Sequence, residues 1–248
     1  MDGEISIEKK ETVVELNGLA PDRVRSLRVY ANKKTDLAFL SDYPRVEELI
    51  LRGDFTDAAG LNGLHSLRKL VMYLNLPVDF SNVRCDALEI LSANCAVDET
   101  FPAFFSENLR ELELGSIRGL KSLSFLEQAV GLKKLYLNAL PGVEALPDFR
   151  KLSKLFALNI YELHKLRDIE SLKDSAVEYL GFTLAADKLS GTGIAKILLA
   201  MEKLKGADMV YMDRSSVRRY NVVENILKKE GREELLNYQM NYGDWKKL

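Results

Sequence analysis

Two histidines, His65 and His164, are the only imidazoles among 248 residues. An imidazole works as a metal ligand or general base when a second donor stands beside it. These two fall about four repeats apart in the pattern set out below, so a shared metal is not expected. Cys85 and Cys95 flank one short strand, whose roughly seven residues hold their Cα atoms beyond the roughly 7 Å reach of a disulfide. With no histidine at hand they are expected to be unbonded and inert. No G-x-S-x-G, H-E-x-x-H, Walker-type lysine motif or EF-hand loop occurs. The nearest phosphate-like stretch is Gly191-Thr192-Gly193-Ile194-Ala195-Lys196. Glycines before a helix start hold an anion through free backbone N–H groups, although a capped helix start explains the same residues more simply. No catalytic residue, metal or cofactor is therefore expected.

The elements that would position any binding residues show themselves by repetition. Leu109-Arg110-Glu111-Leu112-Glu113-Leu114 carries apolar residues at positions 1, 4 and 6, and the pattern restarts at Val24, Val46, Leu67, Leu88, Leu109, Leu132, Leu155 and Val177. Position 4 is leucine each time: Leu27, Leu49, Leu70, Leu91, Leu112, Leu135, Leu158 and Leu180. The spacings are 22, 21, 21, 21, 23, 23 and 22 residues. Alternation over positions 3 to 7 predicts a short strand with one buried face. Upstream the apolar step becomes three, as in Leu40, Tyr43, Val46 or Phe149, Leu152, Leu155, which suits a 3₁₀ turn packed on the strand. No coil of this size buries its own apolar face, so neighbours must stack.

This pattern resembles the leucine-rich repeat family over roughly residues 20 to 215, in the short-repeat type of internalins and phosphatase-regulating repeat proteins. The resemblance implies an α/β solenoid, curved and right-handed, with a parallel concave sheet, 3₁₀ or short helices on the convex side and a binding role for the concave face. It also implies an asparagine ladder at position 9. Asn32, Asp54 and Asn75 keep that pattern; Ala96, Ile117, Leu140, Leu163 and Ala185 depart from it.

One domain over residues 1–248 is expected. Residues 1–20 form an N-terminal cap, with Ile5 and Ile7 in phase with Leu27 and Val29, a turn at Glu8–Glu11 and a degenerate coil at Leu16–Leu19. Residues 21–186 hold eight repeats. Residues 187–248 make a longer last coil and helical C-terminal cap: a helix capped by Thr192, a strand at Met209–Met212, and a helix capped by Ser215 or Ser216 that runs to Lys229. Val222, Val223, Ile226 and Leu227 face inward there, Gly231 is the stop, and a tail with Tyr238, Tyr242 and Trp245 folds back. Charged residues make up 29% yet net only −2, which disfavours nucleic acid, since phosphate binding needs a basic excess. No apolar run approaches a membrane span, and Met1-Asp2-Gly3-Glu4 lacks the marks of a signal peptide. A monomer with reduced thiols in the cytoplasm is expected.

Positions 3, 5 and 7 line up from coil to coil on the predicted open face. Arg28, Tyr30, Ile50, Arg52, Val71 and Tyr73 form an aromatic, basic and apolar patch over coils one to three. Tyr136, Asn159, Tyr161 and Tyr179 form a tyrosine-rich patch over coils six to eight. Tyrosine and arginine are enriched at protein-binding hot spots. The first expectation is a protein-interaction module, an adaptor, inhibitor or toxin-neutralising protein. The alternatives are recognition of a small ligand or glycan by the tyrosines, or a regulatory part of an enzyme complex with a phosphate-binding loop at 191–196.

Overall fold

Leucine at position 4 sets the strand register in both compact units of the chain, Met1–Gly119 and Leu120–Leu248. The computed structural model describes residues 2–95, 101, 105–186 and 188–238. The first unit holds β1 (Gly3–Ile7), β2 (Thr12–Glu15), β3 (Ser26–Thr35), β4 (Glu48–Phe55), β5 (Lys69–Leu74), β6 (Ile90–Asn94) and β7 (Glu111–Gly115). Their order is β2-β1-β3-β4-β5-β6-β7, parallel from β1 onward. Leu27 lies opposite Leu49, Leu49 opposite Leu70, Leu70 opposite Leu91 and Leu91 opposite Leu112, as the repeat pattern requires. The second unit holds parallel β8 (Lys134–Asn138), β9 (Ala157–Tyr161), β10 (Tyr179–Thr183) and β11 (Gly206–Val210), with α1 (Gly191–Ala200) and α2 (Arg214–Lys229). Leu135, Leu158 and Leu180 are again in register. The fold is an α/β leucine-rich repeat solenoid.

None of the eight position-4 leucines is more than 2% exposed, and each such burial stabilises by roughly 1.5–3 kcal/mol. The three-residue apolar step forms successive i→i+3 bonds. Leu64 N–H donates to the Leu61 carbonyl and Leu67 to Leu64; Leu152 donates to Phe149 and Leu155 to Leu152. Each of these turns opens with a short polar side chain that accepts the N–H two residues on. Asp36, Asp57, Asp79, Ser122, Asp148 and Asp168 serve Ala38, Ala59, Ser81, Ser124, Arg150 and Glu170. Such turns set the direction in which the following 3₁₀ segment starts.

Position 2 of the first unit alternates in charge: Arg25, Glu47, Arg68, Glu89, Arg110. Arg25 pairs with Glu47, and Arg68 with Glu89 at 2.9 Å. At position 9, Asn75 donates to Asp54 at 2.8 Å and Asn32 to Glu8. Ala96 lies outside the described residues. In coils five to seven the chain turns instead on left-handed Ser116, Ala139 and Glu162 at position 8, which drive Ile117, Leu140 and Leu163 into the core.

The ends differ from expectation. β1 pairs with β3 two residues out of the expected phase, Ile5 opposite Val29 and Ile7 opposite Ala31. A two-residue slide keeps the same face inward, and both isoleucines stay buried. Gly3 takes the leucine place, and a Cβ there would meet the Leu16 side chain at 2.7 Å. Leu16–Leu19 is no coil but a turn, with Asn17 and Gly18 at positive φ, and the cap is completed by antiparallel β2. Strand β11 starts at Gly206, three residues earlier than expected, leaving Tyr211 and Met212 exposed. Its coil uses Leu204, Ala207 and Met209, with alanine where the pattern asks for leucine.

Helix α1 is capped by Ser190 rather than Thr192, and α2 by Asp213 in a capping box with Ser216. Val223 and Leu227 are buried, but Val222 is 40% exposed and Ile226 half-buried, because α2 turns only a narrow stripe inward. Gly231 ends α2 at φ 70°, with Arg232 N–H reaching the Leu227 carbonyl. Tyr238 does fold back on the last strand; Tyr242 and Trp245 lie outside the described residues.

Candidate functional site

The side chains of β3, β4 and β5 alternate buried and open along each strand, so positions 3, 5 and 7 form one outward face. Tyr30 sits opposite Arg52 and Arg52 opposite Tyr73, with Arg28, Ile50 and Val71 in the adjoining column. The sequence-predicted first patch is thus assembled whole. Tyr30, Arg52 and Tyr73 line a groove of about 360 Å³, joined by Asn94 and by Asn32 and Asn75 of position 9. Its floor depends on Gly53. That residue has φ 122°, and a Cβ there would lie 2.0 Å from the Ala31 carbonyl oxygen. Only glycine allows the two strands to come so close.

The charges on this face are unevenly matched. Arg28 reaches Glu4 at 3.5 Å and lies 5.9 Å over the Tyr30 ring. Lys69 reaches Glu48 at 3.7 Å. Arg52 is exposed, and among the described residues no carboxylate lies within ion-pair distance of it. Tyr73 beside it is 44% exposed. An uncompensated guanidinium between phenol rings, with amides at the rim, is equipped to fork to a carboxylate while the rings cover apolar surface. The three asparagines were not among the sequence-predicted site residues. Asn94 stands at position 7 of the same column, and Asn32 and Asn75 carried the signal of position 9.

The second predicted patch is largely covered, with Asn159 buried and Tyr136, Tyr161 and Tyr179 half-buried. In β8, β9 and β10 both faces of the sheet are largely buried. Ala157, on the face expected to be open, is 0% exposed, with Tyr136, Phe156, Tyr179 and Tyr238 packed against it. Asn159 is 2% exposed. Tyr136 and Tyr161 stack at 5.5 Å, and Tyr179 packs on Tyr238 at 4.9 Å. Small residues make room for this. Above Gly181 stand the Asn159 amide and the Tyr161 hydroxyl, and above Gly206 the Tyr238 ring. Burial, with Asp208 and Tyr136 adding to it, pushes the Tyr161 phenol up to about 12. Asn159 is therefore no surface contact, and the three half-buried tyrosines act first as internal packing.

The remaining candidates are structural. His65 and His164 are both exposed, one in each unit, and among the described residues no three His, Cys, Asp or Glu gather as a metal site. Cys85 and Cys95 are free and buried, and burial pushes both thiols up to about 12. At residues 191–196 the Ser190 hydroxyl takes the Gly193 N–H at 3.0 Å. A Cβ on Gly191 would meet the Arg219 carbonyl of α2 at 2.7 Å, so this glycine serves helix packing. No described helix is long and apolar enough to cross a membrane.

No protein-family model and no curated protein matches the chain. Among solved structures it is similar to an internalin from Listeria monocytogenes, at 16% identity over 88% of this chain and 83% of that one, with a TM-score of 0.35. Among the described residues, the open face of β3, β4 and β5 carries a groove centred on Arg52, which has no carboxylate within ion-pair distance.

Proposed function

We propose that the protein is a non-enzymatic interaction module that binds another protein through the open face of β3, β4 and β5. The observation that carries this reading is the exposed, unpaired Arg52 between Tyr30 and Tyr73. Strand propensity accounts for an exposed tyrosine and solvation for an exposed arginine, but their alignment in one column over a groove is the arrangement in which an interface concentrates its energy. The net charge of −2 sets this cation apart, so the partner surface is acidic or mixed. The protein acts as a monomer in the cytoplasm, with neither cofactor nor nucleic acid.

The test is affinity capture from native cells with the wild-type chain, followed by calorimetry of the captured polypeptide against wild type and variants. Arg52→Glu should weaken binding by more than about 2 kcal/mol, with Tyr30→Ala and Tyr73→Ala also harmful. The melting midpoint should hold, because the Arg52 side chain is exposed. Lys121→Glu, a charge reversal at an exposed position of the second unit, should leave affinity unchanged. Binding that is indifferent to Arg52→Glu but sensitive to Lys121→Glu overturns the assignment.

A further inference from the structure

The N-terminal hairpin carries a second surface, independent of the groove. Strand β2 is the outermost strand of its sheet, and all four of its residues are exposed. Val13 and Val14 are 41% and 49% open to solvent. The direction of its backbone groups follows from the hairpin. Glu8 N–H donates to the Glu11 carbonyl at 2.9 Å, so this pair is hydrogen-bonded. Antiparallel pairs alternate: Ile7–Thr12 is non-bonded, Ser6–Val13 bonded and Ile5–Val14 non-bonded. Thr12 and Val14 therefore aim N–H and C=O groups away from β1, toward the open edge, where a further strand would pair.

The two faces of this edge differ in chemistry. On one, Glu4 lies opposite Glu15 and Glu8 opposite Glu11. Like charges directly opposite destabilise a strand pair. Glu4 is answered by Arg28 and Glu8 by the Asn32 amide. Glu11 and Glu15 have no cation within ion-pair distance among the described residues, the turn lysines Lys9 and Lys10 included. On the other face, Thr12 and Val14 border a hollow of about 460 Å³ over Ile5, Ile7, Phe39 and Tyr43, with Lys33, Lys34, Asp36 and Asp42 also lining it.

We propose that β2 is a docking edge for an extended segment of another protein that alternates basic and apolar residues. Its backbone pairs with Thr12 and Val14, its basic side chains answer Glu11 and Glu15, and its apolar ones enter the hollow. A second copy of this chain fits less well. Antiparallel self-pairing that sets Thr12 against Val14 also sets Glu11 against Glu15, like against like.

The test is selection of random seven-residue peptides on the whole chain, then fluorescence anisotropy with the enriched sequence. Alternating basic and apolar peptides should be enriched. Val14→Pro removes one outward donor without touching a β1 bond; it should lower affinity about three- to tenfold, the order expected for a lost main-chain hydrogen bond. Glu11→Lys with Glu15→Lys, both at exposed sites, should lower affinity and flatten its salt dependence. Arg52→Glu should change nothing, which separates this edge from the groove. No enrichment, enrichment of acidic or non-alternating peptides, affinity indifferent to both β2 variants, or dimers of the chain abolished by Val14→Pro would overturn the proposal.

Discussion

The same repeat builds two different sheets. In β4 of the first unit, burial follows strict alternation, with Leu49 and Leu51 inside and Glu48 and Arg52 in water. In β9 of the second, Ala157, Leu158, Asn159 and Ile160 are all buried. Leucine positions do not distinguish the two; the difference lies in the residues between them. Position 3 reads Ser26, Glu48 and Lys69 in the first three coils but Ala157, Tyr179 and Gly206 in the last three. Charge at position 3 does not decide this alone, since Lys134 of β8 is 7% exposed; small residues beside tyrosines leave space that rings fill. Whether the face stays open thus depends on what stands at positions 3 and 5, not on the repeat alone.

This comparison is breakable. The largest effects should be equal in the two units, because the leucine face is common to both. Leu49→Ala and Leu158→Ala, each 0% exposed, should cost about 2–5 kcal/mol apiece in urea melts. A marked inequality would mean that the coils are not equivalent. The opposite face should then separate them. Gly181→Ala places a methyl 1.8 Å from the Asn159 amide oxygen and should cost about 1–3 kcal/mol by overpacking. Its first-unit counterpart Val71→Thr, half-buried on the open face, should cost roughly 0.5 kcal/mol or less. Similar losses for both would erase the distinction.

A smaller difference is expected between Tyr238→Ala, which uncovers Tyr179 and Gly206, and Tyr73→Ala. The first should cost about 1–2 kcal/mol and the second less than about 0.5. Equal costs would show that the second face gains nothing from its cover. The smallest effect is local and confined to α2. Asp213 accepts from the Ser216 backbone and hydroxyl, which holds its carboxyl below the usual value of 3.8. A lowered folded-state value stabilises above 3.8, and that support fades as pH falls through the lowered value. Protection of the Ser216 and Val217 amides, taken relative to intrinsic exchange at each pH, should fall on acidification, and Asp213→Ala should lower it at neutral pH. Protection unchanged in the variant would discard the capping box.

Strand register in the middle of the chain was readable residue by residue, because a two-residue period with leucine at position 4 leaves one alignment that buries every leucine. At both ends that signal fails. Gly3 and Ala207 stand where leucine is expected, and antiparallel β2 has no counterpart in the repeat. Local competition decided the helix caps: Ser190 and Asp213 lie one position outside the helices they cap and reach back to N–H groups. The groove was legible because its three anchors share one column. The burial of Asn159 was not, since Tyr238 lies many residues downstream and only the folded chain brings it near Tyr179 and Gly206.

The alternating charges at position 2 bear on how such a chain assembles. Coils with interchangeable leucines would stack on the wrong neighbour nearly as well as on the right one, a hazard for any repeat array. Arg25, Glu47, Arg68, Glu89 and Arg110 give successive coils opposite sign. A coil that skipped its neighbour would set Arg25 against Arg68 or Glu47 against Glu89, exchanging attraction for repulsion of similar size. Each pair adds little to final stability, being exposed. Together they bias assembly toward pairing of odd coils with even ones.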